Sequence, residues 1–354
     1  GDAPNFRQPW MRRYVLDNVR YWLEELWFDG LRLDAVHAIV DPSERHVLRD
    51  LASLARHIVP GALLIAEDDR NDPAIIDGCG FDPTWADDFH HAVHVTLTGE
   101  RDGYYANYEP GAQTIAKTIA HGWLYDGQTY PTSGKRRGKP AGSLPAEAFV
   151  YCLQNHDQIG NRAFGDRLPA GDKLAAATTL LLFLPMTPLL FQGEEWGAAS
   201  PFAYFTDHDP ELGKLVSNGR REEFGKFKAF ADPAVRATIP DPQAASTYAS
   251  SQLDWSERDR GEHARMLALH KRLLRLRRED PVMVRAGREA LTAEASGPLL
   301  LVKRWTDRNE RVLIANFGDA PAKSPVVGPV LVASTALEPP VLPPWSAVIV
   351  ATQR

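Results

Sequence analysis

Apolar positions in the first part of the chain follow two alternating patterns. From Trp10 to Trp27, Val15, Val19, Trp22, Leu23 and Leu26 recur at three- and four-residue intervals between Pro9 and Gly30, which predicts an amphipathic helix. The next run, Leu31 to Val36, is short and mostly apolar, as a strand buried on both faces requires. A second helix is opened by Asp41, Pro42 and Ser43, built on Val47, Leu48, Leu51, Leu54 and Ile58, and stopped by Pro60 and Gly61. Ala62 to Ala66 reads as another strand. Gly80 to Trp85 fits a further one, and the alternation returns with Phe149 to Leu153, a helix from about Asp172 to Leu184, and Leu189 to Gln192.

Apolar strands separated by helices imply a parallel sheet covered by helices, either an open doubly wound sheet or a closed eight-stranded barrel. Periodicity does not choose between them. Each strand, however, ends in a polar cluster: Asp34-Ala-Val-His37, Glu67-Asp68-Asp69 and Asn155-His156-Asp157. Functional groups of barrels lie at the carboxyl ends of several strands, which favours the barrel. After a basic helix from about Glu262 to Glu279, the texture changes to short β-rich pieces, Leu299 to Trp305, Arg311 to Asn316, Pro329 to Ala333 and Ala347 to Ala351, separated by Gly, Pro, Asn and Asp. The expected division is therefore a barrel part over residues 1–285 and a small antiparallel β-sandwich over 286–354.

Composition narrows the possible partners. The 354 residues, 44% hydrophobic and 24% charged, suit one large globular domain with a small one. A formal net charge of -6 offers no basic field, so no nucleic-acid partner is expected. No apolar run approaches the roughly 20 residues of a membrane span, and the first dozen residues lack the pattern of a secretory signal. Cys79 and Cys152 are too few for a disulfide framework, so a reducing cytoplasm is expected. The Gly134 to Pro140 cluster lacks the spacing and preceding strand of a phosphate loop and reads as an exposed loop tip. Lys271, Arg272, Arg275, Arg277 and Arg278 read as the solvated face of their helix. Ser133 and Ser217 lack a nucleophile-elbow setting.

Hydrolysis of an acetal needs one carboxylic acid to protonate the leaving oxygen and a second carboxylate to attack the sugar carbon or activate water. Asp34 has Arg32 two residues earlier on the same strand face, and an arginine there holds it ionised, as a nucleophile requires. Glu67 follows four apolar residues, which raise a carboxyl pKa and suit a proton donor. Asp157, beside His156, supplies a third carboxylate able to bond sugar hydroxyls. The block Asp87, Asp88, His90, His91 and His94 places His90 and His94 four apart on one helical face, but without the glutamate of a metalloprotease motif. No metal and no cofactor is expected.

The stretches Gly30 to His37, Leu63 to Asp68 and Gln154 to Asp157 resemble, in order and spacing, three strand motifs of the alpha-amylase family of glycoside hydrolases. The wording of Glu67 to Asp72, Asp87 to His91, His156 to Asn161, Gly193 to Gly197, Tyr204 to His208 and Gly219 to Phe224 is similar to family members that release trehalose. The resemblance implies an α/β fold, a (β/α)8 TIM barrel of which strands four to eight are present, followed by the C-terminal β domain. It implies Asp34 as nucleophile, Glu67 as general acid/base and Asp157 as the transition-state stabiliser. Arg32 orients the nucleophile, His156 contacts the sugar at the cleavage point, and His37 sits on the leaving-group side. Leu33, Ala35 and Val36 then line the groove with Gln158, Ile159, Gly160 and Asn161, while Asp87, Asp88, His90 and His91 contact the trehalose end.

The implied substrate is malto-oligosyltrehalose or a related α-glucan, cleaved with retention at the α-1,4 bond next to the terminal trehalose. A glycogen-branching type of transglycosylase shares the same acids, and an inactive amylase-like sugar-binding protein is the reading from another class. The family's earlier strand motif with an Asn-His pair is not visible upstream of Asp2 to Arg7, so the chain is expected to need the N-terminal part of a barrel. Trp85, Tyr104, Tyr105, Trp196, Phe202, Tyr204 and Phe205 are the candidates for stacking on sugar rings.

Overall fold

The computed structural model describes residues 3–225, 227–337 and 340–354, so Gly1 and Asp2 of the upstream stretch lie outside the described residues. Five strands form one parallel sheet: β1 (Gly30–Leu33), β2 (Leu63–Ala66), β3 (Thr84–Trp85), β4 (Phe149–Cys152) and β5 (Thr187–Leu189). Their spatial order is β1-β2-β3-β4-β5. A doubly wound sheet reverses its strand order at a switch point, whereas this order only advances, which is the wall of a barrel. The register pairs Leu33 with Ala66, so β1 and β2 finish level and the residues after them emerge side by side.

The first helix runs Pro9–Arg20 and continues through the π-helical turn Tyr21–Glu25, with the Leu26 N–H donating to Tyr21 O at 3.0 Å. The chain leaves it at Trp27, whose φ is 61°. The second helix, Val47–Ile58, begins later than Asp41. The Asp41 carboxylate instead organises the loop ahead of it, accepting from the N–H groups of Ser43 (3.0 Å) and Val47 (2.6 Å) and from Arg12 (2.7 Å). The segment Gly134 to Pro140 is exposed only in part. Gly138 has φ +78°, and a Cβ there would lie 1.8 Å from Tyr125 O, so only glycine admits the approach that folds Arg137 inward over Tyr130.

The C-terminal strands are β6 (Leu291–Ser296), β7 (Leu299–Trp305), β8 (Asn309–Asn316), β9 (Ala322–Lys323), β10 (Val330–Ala333), β11 (Val341–Leu342) and β12 (Ser346–Gln353). They form an antiparallel sheet of order β10-β12-β8-β7-β6, and β9 pairs with β11. One apolar core crosses from Leu180 and Phe183 of the Asp172–Phe183 helix to Leu300, Val302, Leu313 and Ile349 of this sheet. Two arginines close the junction. Arg304 is buried and donates to the carbonyls of Phe183 (2.6 Å), Met283 (2.8 Å) and Ala286 (2.6 Å). Arg277, expected on a solvated face, turns inward to the carbonyls of Leu184 and Met186. The reason is local: carbonyls at and just beyond the end of the buried Asp172–Phe183 helix have no partner in the helix itself and need donors from outside.

Candidate active site

Arg32 joins the groups that the strand ends deliver. Two residues along a strand share a face, so Arg32 reaches Asp34, its Nη1 donating to Asp34 Oδ1 at 2.6 Å. Its Nη2 donates to Glu67 Oε2 at 2.7 Å and stands 4.0 Å from Asp157 Oδ2. One guanidinium thus faces carboxylates from the ends of β1, β2 and β4. The Asp34 side chain is 77% exposed and that of Glu67 24%, so the pair has one wet and one sheltered member.

Local backbone geometry shelters Glu67. After β1, Ala35 takes the left-handed conformation (φ 42°, ψ 47°), and its N–H donates to Glu67 Oε2 at 3.0 Å. The ladder then resumes around Glu67, whose N–H donates to Leu33 O and whose carbonyl accepts from Val36 N, both at 3.0 Å. Burial pushes the Glu67 carboxyl above its ordinary range, and the neighbouring Asp34 adds to this. A hydrogen bond from Glu67, then the Arg32 fork, holds Asp34 below its ordinary range. The two carboxyls are thus pushed apart, Glu67 being the one that holds a proton more readily.

Asp157 lies in the short helix His156–Gly160, capped by the Asn155 side chain, which accepts from Gln158 N at 2.8 Å. His156 Nε2 is 3.4 Å from Asp157 Oδ2. Trp85, at the end of β3, lies beneath the group, with the Arg32 guanidinium 4.4 Å from its ring centroid and the His156 ring 5.9 Å away, edge on. Asp87 is a fourth carboxyl in the same field. Burial, Asp88, Glu67 and Asp157 push it up to about 7.

Other positions divide by depth. Leu33, Ala35, His37 and Asn161 are at least partly exposed, and His37 Nδ1 lies 3.5 Å from Asp69 Oδ1. Val36, Ile159 and Gly160 are buried, and Gly160 O accepts from Arg220. Gln158 is nearly buried and accepts from the Tyr104 hydroxyl at 2.7 Å.

Asp88, His90 and His91, expected at the trehalose end, lie under the site and present no free face to a groove. Asp88 accepts from Asn71 (2.8 Å), Tyr108 (2.5 Å) and the N–H groups of Leu124 (2.8 Å) and Tyr125 (3.0 Å). His90 bonds Leu153 O at 2.7 Å and the Tyr105 hydroxyl at 3.0 Å, and His91 stacks on Tyr108. Burial lowers the pKa of both histidines, that of His91 to about 3. The Asp87–Thr98 helix is buried from Asp88 to Leu97, and its first residue, Asp87, is the one that feels Glu67 and Asp157. His94 is held by Glu100 at 2.9 Å, and Glu100 by a two-pronged bond from Arg162 at 2.8 and 2.7 Å. That network gave no signal in the sequence, because Glu100 and Arg162 lie 62 positions apart. His37, Asp68 and Asp69 offer ligand-type atoms within 4.8 Å of one another, but Asp68 already accepts from Arg70 at 2.8 and 2.5 Å.

The advancing parallel strand order, the carboxylates at successive strand ends and the antiparallel domain behind them define a stretch of a (β/α)8 barrel, a fold shared with solved alpha-amylases. A solved structure from Salmonella typhimurium, provisionally described as an alpha amylase, superposes with a TM-score of 0.88 at 33% identity, covering 99% of this chain and 61% of that one. In sequence the chain is similar to malto-oligosyltrehalose trehalohydrolase. It is 49% identical over 323 residues to that protein of Deinococcus radiodurans, covering 90% of this chain and 53% of the relative. It is 40% identical over 354 residues to that of Rhizobium sp. (strain M-11), covering 95% and 58%. The chain thus spans little more than half the length of the relatives it matches. Residues 288–349 match a domain of unknown function, DUF3459. No described helix is long and apolar enough to cross a membrane.

Proposed function

We propose that this chain is the catalytic segment of a glycoside hydrolase that cleaves the α-1,4 bond next to the terminal trehalose of malto-oligosyltrehalose and releases trehalose with retention. The observation that carries the reading is the shared fork, a single arginine bonded both to an exposed Asp34, whose carboxyl it helps hold low, and to a sheltered Glu67, whose carboxyl burial pushes up. Glu67 gives its proton to the glycosidic oxygen as the Asp34 carboxylate attacks the anomeric carbon from the opposite face, and trehalose leaves. Glu67, now ionised, takes a proton from water, whose oxygen displaces Asp34 and returns both carboxyls to their first state. Asp157 and His156 border the same space, where a carboxylate stabilises the positive charge that develops on the sugar ring. Two carboxyls bonded at 2.6 and 2.7 Å to the two tips of one guanidinium lie close together, which supports retention, because inversion needs about 6.5 to 9.5 Å between them for a water. This chemistry needs no cofactor.

We infer that residues 1–285 supply part of the barrel and 286–354 a separate β domain, that the protein works in the cytoplasm, and that further strands complete the wall beside β1. Trp10, Tyr14, Trp27 and Val40, from the segments before and after β1, are largely exposed, as residues awaiting a neighbour would be. Incubating the full-length protein with malto-oligosyltrehalose should release free trehalose, with the α-anomer of the maltooligosaccharide formed first by NMR. New α-1,6 branches in amylose would instead identify a transglycosylase. Sugar binding without turnover would identify a binding protein.

A further inference from the structure

Arg32 meets its partners through Nη1 and Nη2 only; its Nε is buried without a hydrogen-bond partner. Two hydrogen bonds at the tips fix where the fork ends but not the plane in which it lies. The plane is set from the next strand but one, where the Trp85 ring lies under the guanidinium, 4.4 Å from its carbon. Arginine stacks on indole through its delocalised charge and flat face. The same ring also bears on His156 at 5.9 Å. Trp85 is itself buried on β3, so the contact has a firm base.

We propose that Trp85 is a positioning residue of this site: its indole carries the face of Arg32 and so fixes the fork that Asp34 and Glu67 share. This differs from stacking on a sugar ring, because the indole's partner here is the guanidinium of Arg32. The proposal rests on the catalytic reading above. The charged and titratable groups around the fork are Asp34 from the end of β1, Glu67 from β2, Asp87 after β3, and His156 and Asp157 after β4. Arg32 lowers the pKa of both Asp34 and Glu67. A loosened Arg32 therefore raises both and moves both limbs of the pH–rate profile toward higher pH.

The test compares Trp85→Leu, which has no aromatic face, with Trp85→Phe, which keeps a smaller one, in the full-length protein. Trp85→Leu should lower kcat about 100-fold, as ~1 Å misplacements of catalytic groups do. KM should stay nearly unchanged, both pH limbs should rise, and Trp85→Phe should recover most of the loss. A rise in KM with unmoved limbs would mean that the indole stacks on sugar and would overturn the proposal, as would wild-type kinetics. Trp85→Met carries the same test if the leucine variant does not fold. Carbon-13 NMR titration of the Asp34 and Glu67 carboxyls reads the same effect without turnover. If the wild-type protein releases no trehalose, the catalytic reading fails, whereas unmoved carboxyl titrations in the variants reject the role of Trp85 alone.

Discussion

Replacing Arg304 by methionine should destabilise the fold by about 2 to 4 kcal/mol. The arginine supplies donors to three buried carbonyls, those of Phe183, Met283 and Ala286. A buried polar group left without its partner costs roughly 1 to 3 kcal/mol, so the gross loss is on the order of 3 to 9 kcal/mol. Methionine fills similar space and removes a desolvated charge, which returns several kcal/mol. With roughly 2 cal/mol/K of unfolding entropy per residue, the net loss lowers Tm by about 3 to 5 °C. Arg304→Lys separates charge from shape. A compact ammonium is more strongly hydrated and cannot meet three splayed carbonyls at once, so the lysine variant should be no more stable than the methionine variant. Urea unfolding followed by circular dichroism, together with scanning calorimetry, measures both. A change below about 0.5 kcal/mol in Arg304→Met, or wild-type stability in Arg304→Lys, would refute the reasoning.

The acids give further expectations. Glu67→Gln should lower kcat about 10²- to 10⁴-fold on malto-oligosyltrehalose while leaving binding of the sugar, measured by calorimetry, largely intact. The rate should follow a bell in pH. Its acid limb falls as Asp34 is protonated, at a pH below an ordinary aspartate because that carboxyl is held down, and its alkaline limb falls as Glu67 loses its proton, at a pH above an ordinary glutamate. A flat profile through mild acid rejects the assignment. Asp88→Ala should cost about 3 to 5 kcal/mol in urea unfolding, since the buried N–H groups of Leu124 and Tyr125 lose their acceptor along with Asn71 and Tyr108; a surface-like loss below 1 kcal/mol would contradict the burial.

Most strands were legible as short apolar runs, and Asp34 and Glu67 because each follows such a run directly; the run Leu189 to Gln192 misled, since β5 is Thr187–Leu189 and ends where that run begins. What the sequence did not reveal depends on partners far along the chain. Leu31 to Val36 reads as one strand, yet β1 ends at Leu33, because Ala35 turns left-handed and its N–H bonds the carboxylate of Glu67 just after β2. Asp88, His90 and His91 look like surface chemistry in a polar block. Their acceptors and donors, Leu153, Tyr105 and Tyr125 among them, lie 15 to 63 residues away and can be seen only once the helix is packed. Arg277 misleads in the opposite direction: no acidic residue need accompany an inward-turned arginine when carbonyls at and beyond a helix end accept its hydrogen bonds.

The conformation of Ala35 sets a limit on how this protein can be improved. A residue with a side chain held there costs roughly 1 to 3 kcal/mol, and glycine would relieve it. Directed evolution for heat resistance alone should therefore be drawn to Ala35→Gly, while the freer hinge it creates would let the amide that secures the proton donor wander. Selection for turnover would then have reason to restore alanine, so the two pressures meet in opposition at one methyl group.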